Sequence, residues 1–365
     1  MTATGTKVGS AVGSAVETGV ETGVEPITLA PGYRIPRIVR GGWQLAGGHG
    51  EVLADAAVAD MHAFVDAGLN TFDCADIYTG VEEMYGRFNA LQRAAGRAPL
   101  QVHTKFVPDH DDLARVDEAY VRRILRRSLE RLQVARLDLV QFHWWDYALP
   151  GCVPVALLLA KLQSEGLVGH LGGTNFDTAH TSAMLDAGVP LVSMQVQYSL
   201  LDRRPAAQLV PLCRRRGVQL LCYGTLAGGF LTEAWLGRPE PAELSNRSLI
   251  KYKLIIDDFG GWTALQALLR GLRGIAERHR TSIAAVATRW VLQREGVAAA
   301  IVGARYARHL PDTLAVFRFA LDAEDEALLA PILQAHPGPE GDTYALERDK
   351  NGRHGRIMKY NLNKD

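Results

Sequence analysis

The chain has 365 residues, 47% hydrophobic and 22% charged, and 40 Lys plus Arg balance 40 Asp plus Glu, so its formal net charge at pH 7 is zero. That balance excludes a global basic field that would draw the chain to nucleic acid or an anionic membrane, and no run reaches the roughly 20 apolar residues of a membrane span. The four cysteines, Cys74, Cys152, Cys213 and Cys222, form no C-x-x-C pair and have no histidine at zinc-finger spacing, so reduced thiols in a cytoplasmic protein without a metal site are expected.

Residues 1–25 repeat small residues (VGSAV, VETGVETGV) without a basic n-region or an apolar h-region, which reads as a disordered leader. Beyond it, short apolar runs alternate with amphipathic stretches. Strands are expected at Ile38–Trp43, Leu69–Cys74, Leu100–Lys105, Leu137–His143, Leu167–Gly172, Leu191–Gln195, Gln219–Tyr223 and Ala298–Val302. Helical patterns lie between them at Val52–Ala67, Val155–Glu165, Ala179–Ala187 and Pro205–Arg216. A further one, Asp112–Arg131, repeats Val116, Tyr120, Ile124, Leu125 and Leu129 at helical spacing. Eight strands with intervening helices predict an α/β fold, a (β/α)8 TIM barrel over residues 26–335. A doubly wound sheet would want G-x-G-x-x-G after its first strand, and Gly47-Gly48-His49-Gly50 lacks that spacing.

Two stretches break the rhythm. After the seventh strand, residues 224–262 swell into a Pro- and Gly-punctuated insertion, expected to be a long loop covering a site. The tail, residues 336–365, is polar and basic yet carries Tyr344, Met358, Tyr360 and Leu362, so it is expected to fold back over the barrel mouth.

Catalytic groups of such barrels sit at the C-terminal ends of strands. That rule selects Asp73 and the nearby Tyr78, Lys105 and His143. Singly, each has a bland reading as a helix cap, a rim aromatic or a core histidine. Lys105 is different, because a lysine closing an apolar strand is costly unless a carboxylate pairs with it, and Asp73 is the natural partner. A cation beside Tyr78 would lower a phenol pKa that starts near about 10 and make Tyr78 a proton donor. His143 would hydrogen-bond and polarise a carbonyl oxygen. Side chains supply no hydride, so a nicotinamide cofactor is required.

The segments GLNTFDCADIYTGVEEMYGRF, HTKF, LVQFHW and GHLGGTNF, in this order, resemble the signatures of the aldo-keto reductase superfamily, from about Ile27 to Leu333. The resemblance implies reduction of an aldehyde or ketone by NADPH, with NADH left open, and the catalytic tetrad Asp73, Tyr78, Lys105 and His143. It implies that Thr174, Asn175 and Gln195 hold the nicotinamide carboxamide and that Tyr223 stacks on the ring. Phosphates fall to Gly224, Thr225, Leu226 and Gly228, and the adenosine end to Gly303, Arg305, His309 and Asp312. Trp43, Trp144 and Trp145 are expected to line the substrate pocket. The partner is then a small carbonyl compound, with no nucleic acid or membrane. Some members of the superfamily act instead as cofactor-sensing accessory subunits, and an intact tetrad does not exclude that alternative. Specificity is expected from residues 144–149, the insertion and the tail.

Overall fold

A computed structural model describes residues 23–46, 54–303 and 306–363. Eight parallel strands close into a barrel: β3 (Ile38–Gly41), β4 (Thr71–Asp73), β5 (Gln101–Phe106), β6 (Leu137–Phe142), β7 (Val168–Thr174), β8 (Leu191–Gln197), β9 (Gln219–Tyr223) and β10 (Val297–Gly303), with β10 pairing back onto β3. Each coincides with a run read from the sequence, its ends shifted by a few residues. Trp43 lies just beyond β3 in a single 3-10 turn.

Two strands precede the barrel and were not expected. β1 (Pro26–Ala30) and β2 (Tyr33–Pro36) form an antiparallel hairpin turned at Gly32, whose φ of 74° suits glycine. Leu29, Tyr33 and Ile35 of the hairpin pack on Val39, Leu139, Leu221 and Ile301 and close the barrel floor. The signal was the Pro31-Gly32 pair between two short alternating stretches. Floor and site are linked by the two-residue period of a strand. Leu139 points inward at the floor, so Gln141 and then His143 point inward at higher levels. Leu221 and Tyr223 repeat that relation on β9.

The outer layer comprises α1 (Ala54–Asp66), α2 (Val81–Ala94), α3 (Glu118–Leu132), α4 (Cys152–Ser164), α5 (Thr178–Asp186), the short α6 (Arg204–Ala207) with α7 (Leu209–Arg216), α8 (Arg247–Phe259), α9 (Gly261–His279) and α10 (Ile283–Leu292). α11 (Leu310–Ala315) and α12 (Ala323–Ala335) follow β10, and α13 (Ala345–Arg348) lies in the tail. The expected helix from Asp112 is in fact a 3-10 segment, His110–Arg115, followed by α3. α3 starts where the Asp117 carboxylate accepts the Tyr120 N–H at 2.8 Å, and it buries Val121, Ile124, Leu125 and Leu132.

The stretch 224–262 is only partly a loop. Asn246 caps α8 by accepting the Leu249 N–H at 3.0 Å, and Tyr252, Ile255, Ile256 and Phe259 form its buried face. Helix spacing was therefore present in LIKYKLIIDDF, hidden behind the Pro and Gly that precede it.

The tail crosses the mouth. Glu347 pairs with Arg204 at 3.0 Å, the Asp109 carboxylate accepts the N–H groups of Leu362 and Asn363 at 2.7 and 2.8 Å, and the His110 N–H donates to the Tyr360 carbonyl at 2.9 Å. Among the described residues no helix is long and apolar enough to cross a membrane, and no His, Cys, Asp and Glu cluster has the makings of a metal site.

Candidate active site

The four candidate catalytic residues converge at the C-terminal end of the barrel, on one wall of a cavity of about 540 Å³. The register places Lys105 beside Gln141, and Thr174 beside Gln195, so β4 to β8 offer their polar ends at one level. The Lys105 ammonium donates to Asp73 Oδ2 and to the Cys74 carbonyl, both at 2.7 Å. Asp73 Oδ1 accepts from the amides of Gln195 at 2.6 Å and Gln141 at 3.1 Å. A buried carboxylate surrounded this way is neutralised and fixed. Gln141 was not foreseen, although it stands in the LVQFHW segment two residues before His143.

Burial alone would depress the Lys105 ammonium, but Asp73 and then Tyr78 outweigh it and hold its pKa above the ordinary value. The ammonium lies 5.1 Å from the centre of the Tyr78 ring. Burial pushes the Tyr78 phenol up to about 12, although Lys105 pulls it down. The expected depressed phenol is thus not what the site produces: desolvation exceeds the lysine's effect. His143 donates from Nδ1 to the Thr174 carbonyl at 3.0 Å, because a carbonyl only accepts. Burial, with Arg348 next, pushes the ring down to about 3. It is neutral, and its buried Nε2 has no hydrogen-bond partner among the described residues. The cavity side of His143 is therefore a lone pair.

The residues foreseen for a cofactor line the same cavity: Thr174, Asn175, Gln195, Tyr223, Gly224, Thr225, Leu226, Gly228 and Gly303. The Tyr223 hydroxyl donates to Asn175 Oδ1 at 2.8 Å, which fixes both groups. Gly224 has φ 72°, and a Cβ there would meet the Tyr252 hydroxyl at 2.3 Å, so conformation and space both demand glycine. His309 and Asp312 are exposed on the segment after β10 and do not line the cavity, and Arg305 lies outside the described residues. Trp43 and Trp145 line the cavity, but Trp144 does not. Its indole is fully buried and donates to the carbonyls of Asp146 and Leu149 at 3.0 and 3.1 Å, which folds the loop after β6. Two adjacent tryptophans cannot both face one pocket from an extended segment.

Arg247, Ser248 and Lys251 of α8, and Tyr344, Met358 and Lys359 of the tail, also line the cavity. The sequence singled out Tyr344 and Met358 for the tail, but Arg247, Ser248, Lys251 and Lys359 were missed as individuals because these segments have no strand-end position to mark them. Lys251 is held over the rings of Tyr223, Tyr252 and Tyr344 at 5.1, 5.5 and 5.8 Å, and burial lowers its pKa against the pull of Glu347. Among the described residues, the one carboxylate on the wall is Asp73, which is committed to Lys105. The remaining cations, Arg247, Lys251 and Lys359, make the cavity suited to anionic groups.

Residues 37–333 match the Aldo/keto reductase family. The chain belongs to that family. Among similar proteins, the chloroplastic pyridoxal reductase of Arabidopsis thaliana is 27% identical over 313 residues, 81% of each chain. Flagellar radial spoke protein 5 of Chlamydomonas reinhardtii is 31% identical over 174 residues, 42% of this chain, and the match spans only 33% of that protein's length. The solved glycerol dehydrogenase of Gluconobacter oxydans superposes with a TM-score of 0.73 at 26% identity, covering 89% of this chain and 99% of that one. Membership makes the protein an oxidoreductase of small carbonyl compounds that works with a nicotinamide cofactor.

Proposed function

We propose that this protein reduces an aldehyde or ketone to the alcohol with NADPH, with Tyr78 as the acid. The observation that carries this reading is the placement of an Asp73-paired Lys105 beside a half-buried, protonated Tyr78 on a cavity wall shared with a neutral His143. The residues present fit a nicotinamide dinucleotide. The Tyr223 ring and the Thr174, Asn175 and Gln195 side chains suit the nicotinamide, and the Gly224–Gly228 backbone together with Arg247 and Lys251 suits the two phosphates. Such a cofactor supplies the hydride when bound.

The chain's own groups do the rest. Tyr78 is neutral and gives its proton to the carbonyl oxygen as negative charge develops there. Lys105, which cannot leave Asp73 without exposing a buried charge, then stabilises the phenolate. His143 offers Nε2 as an acceptor, so it receives the hydroxyl of the alcohol formed and leaves the unreduced oxygen to Tyr78. Trp43, Trp145 and Met358 keep water from the reacting atoms.

NADPH oxidation measured against a panel of aldehydes and ketones tests the reading, and the absence of turnover on all of them would count against it. With Tyr78 at about 12 and His143 at about 3, neither titrates near neutrality. The reductive kcat/KM is expected to be flat from about pH 6 to about pH 9; a bell centred in that window would overturn the protonation states. Removing Arg247 by Arg247→Ala is expected to weaken NADPH and NADH alike, roughly 10- to 100-fold, because both carry the same pyrophosphate. Arg305→Ala is expected to weaken NADPH alone, and equal losses for both cofactors would dissociate Arg305 from the 2′-phosphate.

A further inference from the structure

Three backbone carbonyls behind the site point at one side chain from the tail. Arg348, at the end of α13, donates from Nη1 to the carbonyls of Trp144 and Trp145, the latter at 2.8 Å, and from Nη2 to the carbonyl of Asn175 at 2.7 Å. Its guanidinium also lies 3.9 Å from the centre of the Tyr147 ring. Trp144 and Trp145 directly follow His143 on the loop after β6. Asn175 directly follows Thr174, whose carbonyl receives the His143 Nδ1–H. Asn175 is itself left-handed, φ 62°, a conformation that a non-glycine residue keeps only when its surroundings fix it. The Tyr147 hydroxyl, under the guanidinium, accepts the Asp177 N–H at 3.1 Å and ties the same two loops from the other side.

The geometry points to Arg348 as a positioning residue for hydride transfer: one guanidinium from the C-terminal tail holds the loop carrying His143 in register with the loop carrying Asn175. His143 faces the substrate oxygen, and Asn175 faces the cofactor. Arg348 therefore sets the distance between the two reactants while touching neither. A planar guanidinium serves the three carbonyls from two separate terminal nitrogens, one turned to each loop, whereas an ammonium has all its donors on one nitrogen. The role rests on the carbonyl-reductase reading given above, and it makes the tail part of the catalytic framework as well as a cover.

Arg348→Ala and Arg348→Lys, compared with wild type and Tyr78→Phe, test this. The alanine variant is expected to lose on the order of 100-fold in kcat, the effect of a small misplacement of reacting groups. Its primary isotope effect with 4-deuterated NADPH should rise, its melting temperature should stay near that of wild type, and faster amide exchange should be confined to residues 143–149 and 173–177. NADPH affinity, read by tryptophan quenching, should weaken severalfold. Millimolar guanidinium chloride should restore part of kcat to the alanine variant and none to Tyr78→Phe, while lysine should not restore it. A kcat within threefold of wild type overturns the proposal, as does a loss that tracks global unfolding without guanidinium recovery. Should wild type reduce no carbonyl, the reductase reading fails by itself. Exchange at the two loops and NADPH affinity then decide, supporting the positioning role if both change and overturning it if neither does.

Discussion

Tyr78→Phe is expected to lower kcat by roughly 10²- to 10⁴-fold, the usual contribution of a positioned acid, while NADPH affinity and melting temperature stay close to wild type. The phenylalanine keeps the ring that packs 5.1 Å from Trp43 and under the Lys105 ammonium, and it removes only the hydroxyl. Lys105 retains Asp73 and the Cys74 carbonyl, so no buried charge is stranded. Stopped-flow NADPH oxidation under single-turnover conditions separates the chemical step from product release. A single-turnover rate within tenfold of wild type would show that the proton reaches the carbonyl oxygen from elsewhere. Replacing His143 by Gln, which keeps an acceptor, should cost less than replacing it by Leu if Nε2 works through its lone pair.

Much of this site was legible because it sits on strands. Asp73, Lys105, His143 and Gln195 end apolar runs whose boundaries a two-residue period reveals, and a parallel barrel brings such ends to one rim. The hairpin β1–β2 was missed because its two strands are short and their apolar positions few, and what marks it is a Pro-Gly turn. Trp144 was misplaced for the opposite reason. Composition says that an indole stands there, but not that the loop turns it inward to donate to Asp146 and Leu149. The protonation states were out of reach as well. Sequence can pair Lys105 with Asp73, but whether the lysine or desolvation decides the Tyr78 phenol depends on burial that only the folded cavity defines.

The parts that escaped individual assignment come from the insertion and the tail, and their contacts explain why. Arg247 and Lys251 reach the cavity because α8 is capped at Asn246 and lies across Gly224 and Gly228. Tyr344 reaches it, with Glu347 and Arg348 anchored behind it, because an ion-paired tail returns to loops some 140 to 200 residues earlier in sequence. Long-range contacts of this kind have no periodic signature.

The buried triad that fastens the tail is expected to dominate its stability. Arg204 is bound by Asp202 at 2.7 Å and by Glu347 at 3.0 Å, with side-chain exposures of 2%, 0% and 1% respectively. Two carboxylates and one guanidinium leave a net negative cluster, and nearby Lys251 adds attraction for Glu347. Against burial, Arg204 and after it Lys251 hold the Glu347 carboxyl below its ordinary pKa. Glu347→Ala keeps the Arg204–Asp202 pair but strands guanidinium donors, and breaking such a pair costs about 3–5 kcal/mol where water cannot enter. Here water can enter by release of the tail, so the cost should appear as local opening more than as global unfolding. Amide exchange over residues 344–363 is expected to accelerate roughly 10²- to 10³-fold, with a smaller shift in the denaturant midpoint. Because Tyr344 and Arg348 flank Glu347, turnover should fall with it. An Asp202→Asn, Arg204→Met, Glu347→Leu triple, which removes all three charges and keeps most of the volume, should restore protection of the tail. Unchanged exchange in the single variant would mean that the tail is held by its other anchors, Asp109 and Arg348, and that the triad serves the barrel alone.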